Sequence, residues 1–340
     1  MSETVRPGTV WGRLTGRGVR TFVDRNFIWV LLVLVVIAAT AINPVFLTPA
    51  NIGNIFIANV ALGCLVIGQS LVLLLGLIDL STEATMVFAA VLGGVMMLAP
   101  STAATMGGFG IAWPIALAAM LGAATVIGLV NGLCVAKLKM NPFMVTLAMS
   151  LILAGFSISV GQGRRVQNLP EGFRFLGSAQ VGPIPVPVVV LLALFVLTHV
   201  ILTRTVFGRR LYTVGSNRRA ARASGIDDEK IVLTSYVFSG LLAGFAAFLL
   251  VGRLGTATAG ISSGGLFISI AAAVVGGVSL FGGRGTASGM LGGLLMMGAI
   301  TNALNLAAID SNLVNTVAGT VILVAVFIDA FRVRRAGRAL

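Results

Sequence analysis

The sequence predicts an all-α polytopic membrane protein of about ten transmembrane helices, with both termini in the cytoplasm. Three observations carry this. Of 340 residues, 57% are hydrophobic and only 10% charged, too few charges to cover a water-soluble fold of this size. The apolar residues gather into runs of roughly 17–25 residues, the length that crosses a bilayer core. The basic residues sit at the ends of those runs, mostly on one side.

In chain order, residues 1–26 form a cytoplasmic segment carrying Arg6, Arg13, Arg17, Arg20 and Arg25. The apolar stretch from Phe27 leads into Asn43-Pro44-Val45-Phe46 and not into a small-residue cleavage site. It therefore reads as a retained first helix. A transmembrane domain over 27–331 then holds spans at 27–43, 52–76, 82–99, 111–136, 142–160, 186–203, 231–252, 266–281, 286–308 and 314–331, the eighth being the shortest. Residues 332–340 form a basic cytoplasmic tail. With the N-terminus inside, nineteen of the 23 basic residues fall in cytoplasmic segments. Only Arg164, Arg165, Arg174 and Arg253 fall outside, the asymmetry that sets orientation. Spans 2–5 and 7–10 begin on opposite sides, the count expected of an inverted repeat about span 6. The 43 glycines concentrate inside helices, as at Gly128 and Gly132 or Gly240 and Gly244, where small residues let backbones approach.

Two connectors stand out. The outside loop Gly161–Pro187 contains GPIPVP, too proline-rich for a helix. The connector 204–230 holds seven basic and three acidic residues and must lie in water beside the membrane. Within it Asn217–Ser224 reads as a short helix. Asn217 or Ser216 caps its start, Ala220, Ala221 and Ala223 favour it, and Gly225 stops it. Arg218, Arg219 and Arg222 project from it, and its small residues suit a face that docks into a groove on another protein.

Composition also excludes functions. The net charge of +13 does not mark a nucleic-acid binder, because the arginines flank apolar runs and form no polar face. Cys64, Cys134 and the single His199 form neither a disulfide framework nor a metal site. No Ser-His-Asp set and no phosphate loop are present, so neither catalysis nor a bound cofactor is expected. Polar residues within the spans are few: Asn59, Gln69, Asn131, Ser150, Ser235, Asn302 and Asn305. Each must hydrogen-bond another helix or face a wet pathway. Asn302 and Asn305 share one helix face. Asp79, in GLIDLS, breaks two helices and reads as a structural or gate element. Ser81 caps the following helix, with Glu83 in its first turn complementing the dipole. The translocation-pathway candidates are thus Asn59, Gln69, Asp79, Ser150, Asn302 and Asn305.

Five stretches carry a resemblance: GLIDLS at 76–81, GLVNGLCVAKLKMNPFMVTLAMSLILAG at 128–155, FGRRLYTVGSNRRAARASGI at 207–226, YVFSGLLAGFAAFLLVGRLGTA at 236–257 and AAAVVGGVSLFGGRGTASG at 271–289. In this order they resemble ABC permeases of the ribose/xylose type, over about Phe27 to Asp329. The resemblance implies a type II importer-like permease in the bacterial plasma (inner) membrane, paired with a second permease copy or paralogue. It also implies a cytoplasmic ABC ATPase with two fused nucleotide-binding domains, which binds the ATP, and an extracytoplasmic solute-binding protein. By the same resemblance, Asn217–Gly225 is the ATPase-coupling region. The chain departs from the family at Phe267-Ile268-Ser269, where an acidic pattern is usual, and at Glu83, where glycine is usual.

The expected solute is a monosaccharide or polyol. Nucleosides, branched-chain amino acids and a sugar-derived signal are alternatives within the class. A cation-coupled secondary transporter would show ionisable residues near mid-membrane, and a passive channel a repeated pore ring; the sequence displays neither pattern. Cysteines placed near Arg164 and near Arg219 are expected to label from opposite sides of the membrane. Labelling of both from the outside would end the ten-span arrangement.

Overall fold

The structure is a computed structural model and describes residues 27–98, 108–182, 184–262 and 264–309, with scattered positions between 313 and 327. The segments 1–26 and 332–340, and most of the span 314–331, lie outside the described residues.

Helix α1 (Phe27–Ile42) leads through a 3₁₀ turn, Pro44–Leu47, whose Asn43 side chain accepts the Val45 N–H. Helix α2 (Pro49–Ala58) starts on a Thr48 cap with Pro in its first turn, where the missing N–H costs nothing. It meets α3 (Val60–Leu73) at Asn59 with a 44° bend. Gly76, at φ +69°, turns the chain out of α3, and a non-helical stretch carries it to α4 (Thr82–Met97). Helices α5 (Trp113–Ala136) and α6 (Pro142–Gly161) follow. The outside connector then forms α7 (Glu171–Ser178) and a small antiparallel pair, β1 (Gln180–Val181) and β2 (Ile184–Pro185). Helix α8 (Val186–Arg204) runs into α9 (Val206–Ser216) and α10 (Arg218–Ala223), so the charged connector holds two helices where the sequence suggested one. Helices α11 (Asp228–Leu254), α12 (Gly265–Val275) and α13 (Ala287–Leu306) complete the described bundle.

Among the described residues, α5, α6, α8, α11 and α13 are long and apolar enough to cross a membrane, and the bent pair α2–α3 makes a sixth. Helices α1, α4 and α12 are apolar but shorter. The span expected over 266–281 is corrected to a half-length helix. Its 11 residues rise about 16 Å, half of a hydrocarbon layer about 30 Å thick, before Gly276 and Gly277 end it.

Every residue of α3 except Leu62 is buried, which places α3 at the centre. Helices α6 and α8 instead present Leu151, Phe156, Val189 and Val196 outward, the pattern of lipid-facing helices. The tightest crossing joins α5 and α11. Gly128 on one meets Gly240 on the other, while Gly132 packs on Leu233 and Gly244 on Ala124. A Cβ on Gly240 would overlap the Ala124 carbonyl oxygen, whereas one on Gly122 meets open space. Gly240→Ala is therefore expected to lower thermal stability in detergent by about 1–3 kcal/mol, with Gly122→Ala near neutral. Equal melting of the two variants would contradict this packing.

Candidate functional site

Three groups of polar residues emerge from the bundle. The first surrounds Asp79. Its Oδ1 accepts the Ser81 N–H at 2.9 Å and the Ser81 hydroxyl at 2.6 Å, and its Oδ2 accepts the Ser239 hydroxyl at 3.2 Å. Asn131 donates to Ser81 Oγ at 2.8 Å, Thr82 to the Asp79 carbonyl at 3.0 Å, and Tyr236 to the Ile78 carbonyl at 3.2 Å. Gln69 Oε1 lies 3.1 Å from Thr82 Oγ1. All these side chains are buried, and Gln69 Nε2, Ser70 Oγ and Asn131 Oδ1 lack a partner. Ser239 lies eleven residues into α11, about 16 Å along it from Asp228, so the cluster sits well inside the hydrocarbon layer. Ser81 does not cap α4 through its side chain as the sequence suggested, because its hydroxyl is committed to Asp79.

The second group lines two clefts. One, of about 270 Å³, is bordered by Asn59, Ser262, Thr301, Asn302 and Asn305 amid aliphatic side chains. Asn59 donates to the Ile55 carbonyl and packs on Gly298. Asn302 exchanges two hydrogen bonds with Asn51, at 2.8 and 3.0 Å, tying α13 to α2. The other, of about 290 Å³, is bordered by Glu83, Ser150, Ser157 and Ser262. Ser150 donates to its own helix at Leu147 O. The pathway candidates thus separate: Asn59, Asn302 and Asn305 border one cleft, Ser150 the other, and Gln69 and Asp79 lie in the sealed cluster. Glu83 lies in the first turn of α4, as expected, and its oxygens also reach a second helix. It accepts hydrogen bonds from Ser262, Gly265 and Leu266, at the start of α12.

The third group is the segment Asn217–Gly225. Asn217 Oδ1 accepts the Ala220 N–H at 3.0 Å and starts α10. Gly225, at φ +77°, ends it, with Gly225 N–H on Arg222 O and Ile226 N–H on Ala221 O, a Schellman arrangement. Ala221 is fully buried against this chain, which corrects the expectation that it lies on the docking surface. Arg222 is likewise engaged, holding Asp228 by two hydrogen bonds at 2.6 and 2.8 Å, with Arg218 4.0 Å away. The outward face is made of Arg219, Ala220, Ala223 and Ser224, with the Asp228-bound Arg222 still half exposed beside them. Below α10, the Lys230 backbone N–H and ammonium hold the Asp227 carboxyl under the usual carboxylate range.

The end of α9 rests on two other connectors. A Cβ at Gly215 would overlap the Leu74 carbonyl oxygen. That oxygen accepts the Gly283 N–H at 2.8 Å, and the Tyr212 hydroxyl donates to Gly285 O at 2.7 Å. The α9 terminus, just before this segment, therefore touches the exit of α3 and the loop before α13 at one junction.

A family model described as branched-chain amino acid transport system / permease component matches residues 51–326. The chain belongs to this permease family. It is 36% identical over 300 residues to the ribose import permease protein RbsC of Bacillus subtilis, covering 88% of this chain and 90% of that protein. It is 32% identical over 316 residues to the L-arabinose ABC transporter permease protein AraH of Azospirillum brasilense, covering 93% and 90%. It is also 30% identical over 312 residues to the D-allose transport system permease protein AlsC of Escherichia coli, covering 91% and 92%. No solved structure matches the chain.

Sequence reasoning about this permease missed Ser70, Thr82, Tyr236 and Ser239 around Asp79, and Thr301 and Ser262 in the clefts. Ser235 and Ser239, four apart in an apolar run, were the legible signal for one polar stripe on α11. Asp79→Ala would strand the buried Ser81 and Ser239 donors, at about 1–3 kcal/mol for each unsatisfied group. Asp79→Asn keeps one acceptor and is expected to lie between Ala and the parent in thermal stability. A permease unaffected by Asp79→Ala would show that the cluster does not hold the α3–α4 break.

Proposed function

We propose that this permease is the membrane-spanning subunit of an ATP-driven importer for a small polar solute, a monosaccharide or polyol, in the bacterial plasma (inner) membrane. One observation supports this above others. The helices are broken at Asn59, at Leu74–Ser81 and at the start of α12, and an amide-lined cleft opens beside the first and last of these breaks. The family match and the sugar names of the relatives agree with it. The ten-span count, the cytoplasmic termini and the domain limits 27–331 and 204–230 belong to the same reading. So do the partners: an ABC ATPase with two fused nucleotide-binding domains, an extracytoplasmic solute-binding protein and a second permease copy or paralogue. Asp79 gates by holding the α3–α4 break, and Asn59, Asn302 and Asn305 face the solute. Gln69 stays within the Asp79 cluster, and Ser150 borders the second cleft.

A cation-coupled carrier is the competing class. Asp79 and Glu83 lie deeper in the bundle than the sequence suggested, as that class requires. Each carboxylate, however, is occupied by hydroxyl and N–H donors of the chain itself.

In this reading α10 receives the ATPase stroke, and the Gly215 junction passes it to both connectors. Gly215→Ala is expected to cut solute uptake more than tenfold in a reconstituted complex, while the ATPase still co-purifies and hydrolyses ATP; such a loss corresponds to about 1.4 kcal/mol or more. Ala220→Trp is expected to abolish solute-stimulated hydrolysis, because it blocks the outward face. Arg219→Ala is expected to do little, since exposed ion pairs are worth about 0–1 kcal/mol. Parental uptake and stimulation in both Gly215→Ala and Ala220→Trp would refute the coupling role.

A further inference from the structure

Glu83 occupies an unusual place. Helix α12 begins inside the bundle, and its N-cap is Gly264, at φ +83°, which has no side chain to satisfy the first-turn N–H groups. Glu83 supplies the cap from another helix. Its Oε1 accepts the Ser262 hydroxyl at 2.6 Å and the Gly265 N–H at 2.9 Å, and its Oε2 accepts the Leu266 N–H at 2.9 Å. A carboxylate there also complements the positive end of α12. Gly265 permits the approach, since a Cβ would crowd Ser262 Oγ and Glu83 Oε1 to 2.9 and 3.1 Å.

The bonded groups also border both clefts. Glu83 borders the cleft shared with Ser150, Gly265 borders the cleft shared with Asn302, and Ser262 borders both. The set Glu83–Ser262–Gly265 is therefore the partition between them. Among the described residues Glu83 bonds it across helices, and its loss would leave the first-turn N–H groups of α12 without that partner.

We propose that Glu83 is a positioning residue for transport: a latch that holds the start of α12 against α4 and keeps the two clefts apart until the solute passes. This rests on the reading of the clefts as a solute route. It goes beyond that reading in assigning the point of closure to one carboxylate outside the six pathway candidates. The latch must be strong enough to stay shut and weak enough to part. Three charge-assisted hydrogen bonds at a partly exposed site meet both conditions.

The test uses the full complex in proteoliposomes, with Cys64 and Cys134 replaced and spin labels on Thr301→Cys and Ser150→Cys, one beside each cleft. In the parent, the label distance is expected to hold one value without ATP and to gain a second during turnover. In Glu83→Ala, the second population is expected without ATP, raised about tenfold or more as the charged hydrogen bonds are lost. Hydrolysis in this variant should no longer depend on solute. Glu83→Gln keeps an acceptor for Ser262 and Gly265 and is expected to restore the parental distance. If Glu83→Ala fails to assemble, Ser262→Ala, which removes one bond, is expected to raise the second population in its place. A parental distance in an assembled Glu83→Ala, or in Ser262→Ala where that variant is needed, overturns the latch while leaving the solute route intact. Parental uptake in Thr301→Trp, which fills the first cleft, overturns the route itself, and the latch with it.

Discussion

The stretch Leu74–Ser81 leaves the helical state between the charged connector and the buried Asp79, and much of the permease is arranged to pair its peptide groups. Backbone polar groups in hydrocarbon must pair internally, which is why membrane proteins tolerate irregular chain only where it is enclosed. Here Gly283 serves the Leu74 carbonyl, Tyr236 that of Ile78 and Thr82 that of Asp79, while Asp79 receives the Ser81 N–H. These partners come from α11, from the start of α4 and from the loop before α13. Central α3 is buried on nearly every face because those elements close around its exit.

The same demand explains the glycines. Bringing α11 close enough for Tyr236 and Ser239 to reach the break requires its backbone to lie against α5, and Gly128 and Gly240 make that contact possible. At the charged end, Gly215 lets the α9 terminus touch Leu74 and Gly283 directly. Movement of the α9 terminus has no compressible layer of side chains between itself and the two connectors. Packed interfaces of this kind shift between discrete arrangements and do not deform smoothly.

Much of this was legible in the sequence. Apolar run lengths and the basic asymmetry mark a polytopic membrane protein, and the Asn217 cap and Gly225 stop of α10 follow from local chemistry. GLIDLS shows by its glycine and its acid within an apolar run that two helices part there. What the sequence hides is long-range. Nothing local says that Ser239, 160 residues away, completes the Asp79 cluster. Nothing local says that Glu83 also bonds the start of α12, that Arg222 closes on Asp228, or that Ala221 is buried. Hydropathy also overstates α12, because a run can be apolar throughout and still stop halfway when Gly276 and Gly277 turn it.

The central claim is that α10, the exit of α3 and the loop before α13 form one body that moves against the cleft. Spin-label distances in the intact complex measure this directly. One pair joins Arg219→Cys to Phe281→Cys within the body, and the other joins Arg219→Cys to Thr301→Cys across it, each with and without ATP. The account predicts an unchanged first distance and a second that shifts by several ångströms with nucleotide. A first distance that changes while the second stays fixed would contradict it.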